Sequence, residues 1–541
     1  MAIGAVCLAG LFLIWLTVLY GASWHVFLGN SDDANAVLEG HSLANGNLVL
    51  HGWSLSADSY WTTDLLFYAL FSAVEGVRPA LMHQVPMILA IGVVLLSAIT
   101  SSLGFSRVGK WTGASATFLI LGVPAWYLVS VFYQGPQHVG TTLFCLAAFL
   151  ALSRMRLGRA WALGTLLMTA ALVGDPFALP IGVIPLGLVG LATAVARRRW
   201  QLAVAPVGAA LAAVGLSEIA FSLLRHFDGY TTYPVIPLSH PSQWPTNLGN
   251  ALIQLWDLLG GQVTFSTRWE ILVMAAHLLG MAAIVAGVAV ASGRLVRDVM
   301  LRTQPSRYRR SVGSVLERFL VVAVWGNVAT VLVLGGVARY LIPGLAFGAI
   351  LGGRFVGATA AHLRARTAAH LRARTAAHLR ARPSGAHRAA GGTYPVLVVP
   401  GLVVLAAIGY SASLASISHL PTRQDPARSL VTWLSASSLD HGIGTYWDGS
   451  LMTVNSDDQV GVRSVLSVHG RLLRYQTNSS ASWYPPASSP LAARFLAYTP
   501  SQPWGGVNAT SAIATFGPPS SSRQIGQYEV LIWDHGLATS G

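Results

Sequence analysis

Long apolar blocks alternate with short polar connections along most of this chain. Apolar blocks fall near 3–28, 80–100, 113–131, 139–153, 160–174, 177–196, 202–224, 270–292, 316–335, 337–353 and 394–413. A helix needs roughly 20 apolar residues to cross a bilayer, so the pattern predicts about eleven spans. The block at 139–153 is short for this, and 316–353 can be divided in more than one way. After 413 the pattern changes. "ARSLVTWLSASSL" has a helical period, whereas "GTYWDGSLMTVNS", "QVGVRSVLSV", "RFLAYT" and "YEVLIWD" alternate like strands between turn residues. The expected fold class is a mainly α, polytopic membrane helical bundle over 1–413, followed by a small soluble α/β domain over 414–541.

The connections set the orientation. Basic residues gather in alternate ones: "SRVGK", "SRMRLGR", "ARRRWQ", "SGRLVRDVMLRTQPSRYRR" and a long loop at about 354–393. The other set carries Asp32, Asp33, Glu39, Asp58, Asp64, Asp175 and Asp228. The positive-inside rule then puts the amino terminus in the cytoplasm and the last domain outside the cytoplasmic membrane. Two further outer segments are long enough to hold structure. In 29–79, "ANAVLEGHSLANG" and "TTDLLFYALFSAVEG" read as amphipathic helices for the membrane interface. The segment 225–269 is rich in Pro and aromatics.

Composition agrees and excludes one partner. The 541 residues are 53% hydrophobic and 10% charged, with mean hydropathy +0.56. The net charge of +14 suggests nucleic acid, but the Arg clusters follow membrane topology and not a binding face, so no nucleic-acid partner is expected. The partner is the lipid bilayer. Cys7 and Cys145 lie in apolar blocks and offer no disulfide framework. The first block lacks a basic leader and reads as an uncleaved span. Three tandem copies of "TAAHLRAR" run from Thr359 to Arg382. Their period of eight rotates His362, His370 and His378 round a helix, so no shared metal-ligating face forms. The repeat reads as a basic loop that meets anionic headgroups. Asn478 and Asn508 stand in glycosylation sequons.

Asp32 and Asp33 hold the chemical interest. They end the first block on the outer side, where water reaches them. By residue type alone they are helix caps. As chemistry, they are a general base or a cation-binding acid beside a membrane cleft. Asp175, before Pro176, reads first as a turn residue.

The stretch "DDANAVLEGHSLANGNLVLHGWSLSADSYWTTDLLFYALF" resembles the first external loop of GT-C membrane glycosyltransferases that use lipid-phosphate sugars, the protein mannosyltransferase and lipid A aminoarabinose transferase type. "GGVARYLIPGLAFGAIL" looks like the Arg-Tyr-Leu element that opens a late span in that class, and "GIGTYWDGSLMTVNSDDQVGV" resembles the external domain of bacterial members. The resemblance implies sugar transfer from a polyprenyl-phosphate donor to an extracytoplasmic glycan, lipid or protein. It makes Asp32 the general base and Asp33 its orienting or cation-binding neighbour. Arg339 and Tyr340 then bind the donor phosphate, although Arg339 could equally snorkel to the interface. Tyr446 and Trp447 stack on sugar or serve as core. Some members carry an acid after the third span, where this chain has Gln137 and His138; Asp175 is the candidate substitute. Asp64, Gln137, His138 and Asp175 complete the candidate substrate-binding set. No cofactor is implied beyond a divalent cation. The departure leaves an inactive relative open as a scaffold, and a transporter or flippase is the rival class. Transporters, however, place ionisable groups at mid-membrane.

Overall fold

A computed structural model describes residues 2–153, 156–232, 237–261, 268–300, 312–380, 395–420, 426–502 and 504–539. Parts of three basic connections, at 154–155, 301–311 and 381–394, lie outside these residues. The first half holds α1 (Ala2–Val26), α2 (Ser31–Ala44), β1 (Trp53–Leu55), α3 (Leu65–Glu75), α4 (Leu81–Ser102), α5 (Arg107–Gly122), α6 (Trp126–Phe132), α7 (Val139–Leu152), α8 (Arg159–Gly174), α9 (Ile184–Arg197) and α10 (Gln201–His226). Then come β2 (Thr231–Thr232), α11 (Trp244–Leu258), α12 (Arg268–Met300), α13 (Val312–Leu334), α14 (Ile342–Arg380) and α15 (Pro395–Ser418). The tail contributes α16 (Ala427–Ala436), β3 (His441–Gly444), α17 (Tyr446–Asn455), β4 (Gly461–Val468), β5 (Arg471–Arg474), β6 (Ser479–Ser480), β7 (Ala493–Tyr498), α18 (Ala509–Phe516), β8 (Ser521–Ile525) and β9 (Tyr528–Leu537).

Every apolar block coincides with a helix of this multi-pass membrane bundle. Among the described residues, 6 helices are long and apolar enough to cross a membrane, or up to 7 with one bent pair counted as a span. Blocks 139–153 and 160–174 form apolar helices of 14 and 16 residues that fall short of that length, whereas the helices over 3–28 and 394–413 have 25 and 24 residues. The block at 113–131 is built from this bent pair. Helices α5 and α6 meet at 81° across a break that contains Pro124, whose ring and missing N–H interrupt the helical ladder. At the bundle centre, Phe149 of α7 lies 5.3 Å from Phe319 of α13 and 5.9 Å from Phe347 of α14, centroid to centroid.

Two other expectations change. The loop at 354–393 is helix as far as Arg380, because Ala, Leu and Arg are strong helix formers. Arg354 is buried there, bonded to the Leu103 carbonyl at 2.9 Å and to Glu317 at 3.5 Å. Of the two amphipathic stretches, α3 exposes Leu66, Leu70 and Val74 along one face, as an interfacial helix would. Helix α2 is instead buried between α3 and α17, since its polar groups find partners in the tail.

The tail is a six-stranded mixed sheet, ordered β5-β4-β3-β7-β9-β8, with β4, β3 and β7 parallel. Leu430, Leu434 and Met452 from α16 and α17 pack on one face around Phe495. Ala512 of α18 packs on the other with Trp533. "GTYWDGSLMTVNS" is a helix and not a strand. Thr445 stands at its N-cap position without a side-chain cap bond; its hydroxyl donates instead to the Asp448 carboxylate three residues on at 2.6 Å. A small second sheet, β2-β1-β6, joins both outer loops to the tail, with Trp53 and Ser54 of β1 paired to Ser480 and Ser479. Described parts of 29–79, 225–269 and the tail therefore meet at one end of the bundle.

Candidate functional site

The acid pair opens α2 and the two carboxylates differ in environment. Asn30 caps the helix, accepting the N–H groups of Asp32 and Asp33 at 2.8 and 3.2 Å. Asp33 completes the capping box by accepting the Asn30 N–H at 2.8 Å. Asp33 is fully buried, and burial holds its pKa well above the ordinary carboxylate range, with the Asp32 charge adding to the effect. Asp32 is only partly buried and accepts a hydrogen bond from the Tyr446 hydroxyl of α17.

The turn after α6 fits between α2 and α3. Gly135 lies against Asp33, and Gly140 lies against Asp64 at the start of α3; a Cβ at either position would collide with the carboxylate. Burial lifts Asp64 to about 7. Between these glycines, Gln137 and His138 are buried. His138 has φ 62°, a left-handed conformation that a non-glycine residue adopts at a cost. That conformation turns its ring inward, 4.6 Å from Phe177 and 5.3 Å from Tyr340.

His138 Nδ1 lies 2.7 Å from Asp175 Oδ2, and the Thr141 hydroxyl donates to the same oxygen at 2.6 Å. Asp175 also accepts the Phe177 N–H at 2.9 Å, so it does serve the turn before Pro176, but its other oxygen belongs to this cluster. Asp58 is the third member. One ligand atom each from Asp58, His138 and Asp175 lies within 4.8 Å of the others. Burial, then the Asp175 charge, pushes Asp58 up to about 6. His138 Nε2 is buried with no hydrogen-bond partner among the described residues. Two carboxylates and an imidazole at this spacing suit a divalent cation. Neither Asp33 nor His362 and His370 of the repeat join such a cluster among the described residues.

Arg339 and Tyr340 lie on the short turn that leads into α14. The guanidinium sits 5.2 Å from the Tyr340 ring centroid, and Arg339 Nε has no partner among the described residues. Its charge is felt at Asp58, and it feels Asp32 and Tyr60 in turn. Asn327 donates to the Tyr340 carbonyl at 2.7 Å and fixes the turn. Helix α11, from the aromatic-rich loop, packs on this turn and on α6, where the Tyr127 hydroxyl meets Gln254 at 2.5 Å. Asp32, Asp58, His138, Asp175, Arg339 and Tyr340 thus share one end of the bundle. Asp33 faces the turn behind it.

Sequence reasoning missed Asp58, Tyr60 and Thr141, lone polar residues with no local pattern. It also missed that the tail reaches the acid pair. Tyr446 is core in one respect, packed 4.8 Å from Tyr475, yet its hydroxyl serves Asp32. Trp447 stays half-exposed. Asn478 bonds Ser56 and Tyr446, and Asn508 caps α18, so both sequon asparagines have structural partners. A cavity of about 480 Å³ lies beside this junction, lined by His41, Asn47, Trp53, Arg463 and Trp483 among others.

The described architecture matches solved membrane proteins. ArnT from Cupriavidus metallidurans, bound to undecaprenyl phosphate, superposes with TM-score 0.54 over 98% of both chains at 13% identity. Its apo state gives 0.53 over the same shares at 12% identity. The chain has the GT-C fold. The oligosaccharyltransferase AglB from Archaeoglobus fulgidus gives TM-score 0.45 at 13% identity, over 90% of this chain and 69% of AglB. No sequence-family model matches this GT-C chain, and no curated protein matches it in sequence.

Proposed function

We propose that this chain is a glycosyltransferase that moves a sugar from a polyprenyl-phosphate donor to a hydroxyl acceptor outside the cytoplasmic membrane. The membrane part spans 1–413 and the outer domain 414–541. The observation that carries the reading is the partly open carboxylate of Asp32, held by Tyr446, at the end of a GT-C bundle that also carries Arg339. ArnT, which shares this fold, was solved with undecaprenyl phosphate bound.

In this reading the acceptor oxygen attacks the anomeric carbon as its proton passes to Asp32. The bond from that carbon to the phosphate oxygen breaks, and its electron pair leaves with the lipid phosphate. Arg339 meets the charge that develops there with two parallel donors. Asp33 is the structural acid of the pair, since its carboxylate is committed to the α2 cap. A divalent cation, where the reaction uses one, would be held by Asp58, His138 and Asp175, and would neutralise phosphate charge. Asp64 and Gln137 back that cluster. Helix α11 covers the donor side, and the cavity beside Trp53 and Trp483, aromatic and polar together, suits an acceptor saccharide.

The test is genetic and chemical. Cells deleted for the gene are profiled by mass spectrometry for the envelope sugar that disappears. The intact gene restores that sugar, whereas Asp32→Asn and Arg339→Ala, at equal protein levels, do not. Full restoration by Asp32→Asn removes Asp32 from the base role.

A further inference from the structure

We infer that Tyr446 is a positioning residue for Asp32, so that the outer domain completes the catalytic site and leaves Asp32 Oδ2 as the proton-accepting atom. The inference rests on the proposed role of Asp32 and follows from counting protons around one phenol.

The backbone N–H of Ser56 donates to Asn478 Oδ1 at 2.8 Å. A backbone N–H can only donate, so the carbonyl side of the Asn478 amide faces Ser56. The NH₂ side must then face Tyr446, where Nδ2 lies 3.1 Å from the hydroxyl oxygen. A second amide, Asn35 of α2, lies farther from the phenol. The Ser450 hydroxyl donates to Asn35 Oδ1 at 2.6 Å, and Asn35 Nδ2 lies 3.5 Å from the Tyr446 hydroxyl. The Asn478 amide therefore offers a proton to the phenol oxygen and accepts none from it, and Asn35 turns its NH₂ side to the same oxygen from 3.5 Å. A phenol carries one proton. Among the described residues the acceptor left in contact with it is Asp32 Oδ1, and that is the bond present.

The arrangement has consequences for Asp32. Oδ1 always holds a hydrogen bond, which fixes the carboxylate plane. Oδ2 is the atom left for an acceptor hydroxyl. The ring cannot swing away at little cost, because Tyr475 and Trp504 pack on it at 4.8 and 5.6 Å between centroids. The contact joins residues 414 positions apart, so a carboxylate in the first external loop is aligned by the last domain. The link extends further, since the Ser56 hydroxyl donates to the Asp58 carbonyl at 2.7 Å. The acid pair and the Asp58 cluster are thus held by one bonded path through Asn478.

The experiment uses the full-length protein in nanodiscs. The donor is the polyprenyl-phosphate-sugar fraction extracted from the host, and the acceptor is the envelope fraction of the deletion strain. Tyr446→Phe removes the hydroxyl and keeps the packed ring. Turnover should fall by about 10- to 100-fold, the size expected for one hydrogen bond to a charged group. The donor KM and the melting temperature should stay at their wild-type values. Asn478→Ala, which removes one donor to the phenol, should lower turnover in the same direction by less, and it carries the test if Tyr446→Phe does not fold. Wild-type turnover in Tyr446→Phe, with Asp32→Asn inactive, overturns the inference alone. A loss matched by a lower melting temperature also overturns it, in favour of a merely structural contact. Wild-type turnover in Asp32→Asn overturns the reading beneath it.

Discussion

The site has two acidic regions of opposite construction. At the start of α2 the two acids are consecutive in sequence, and Asp32 stays partly open, held by a phenol from the far end of the chain. In the second region, Asp58, His138 and Asp175 come from three separate connections, and the His138–Asp175 pair is fully buried. The difference separates reactivity from scaffolding. A carboxylate that exchanges a proton needs water and substrate on one side and a fixed partner on the other. A buried imidazole–carboxylate pair loses mobility and gains a defined geometry, which suits it to hold a turn or an ion.

The comparison is broken most directly at Asp32. Asp32→Asn should cut sugar transfer by about 10²- to 10⁴-fold, the range for removing a general base, as read in the deletion-strain membrane assay. An effect of similar size from Asp33→Asn would erase the distinction within the pair.

The next test is pH. The pKa of Asp64 rises on folding from 3.8 to about 7, chiefly through burial. Between those values the folded chain holds a proton that the unfolded chain has lost, so stability falls as pH rises through that window and levels off above it. The slope approaches about 1.4 kcal/mol per pH unit. Melting temperatures measured from pH 4 to pH 8 should show the decline, and Asp64→Asn should reduce its slope, the rest coming from Asp33 and Asp58.

His138→Ala should destabilise the protein by about 3 kcal/mol, because it leaves the buried Asp175 charge with less compensation. A thermal melt of the purified variant reads this directly. The smallest effect belongs to Asp33→Asn, which keeps a cap acceptor. It should cost about 1 kcal/mol or less in a thermal melt and leave transfer nearly intact.

The spans could be read because a bilayer imposes one length and one polarity on each, and the acid pair could be read because it is contiguous. The break at Pro124 lay inside an apolar run whose hydropathy hides it. Helix α17 was misread because Tyr446, Trp447, Thr453 and Val454 favour strands, while its packing partner α2 comes from a distant part of the chain. Asp58 and Asn478 had no local signature. Their partners are set by how the loops and the tail pack, and a linear pattern does not encode that.

The long helix α14 works as a ruler. Its 39 residues from Ile342 to Arg380 extend about 58 Å at the standard rise, while a hydrocarbon core takes up only about 30 Å. The helix is therefore longer than a hydrocarbon core by about 28 Å. Each copy of "TAAHLRAR" lengthens the helix by about 12 Å and turns its face by about 80°. Gaining or losing a repeat would therefore reset the helix's reach in fixed steps, without moving Arg339 at its other end.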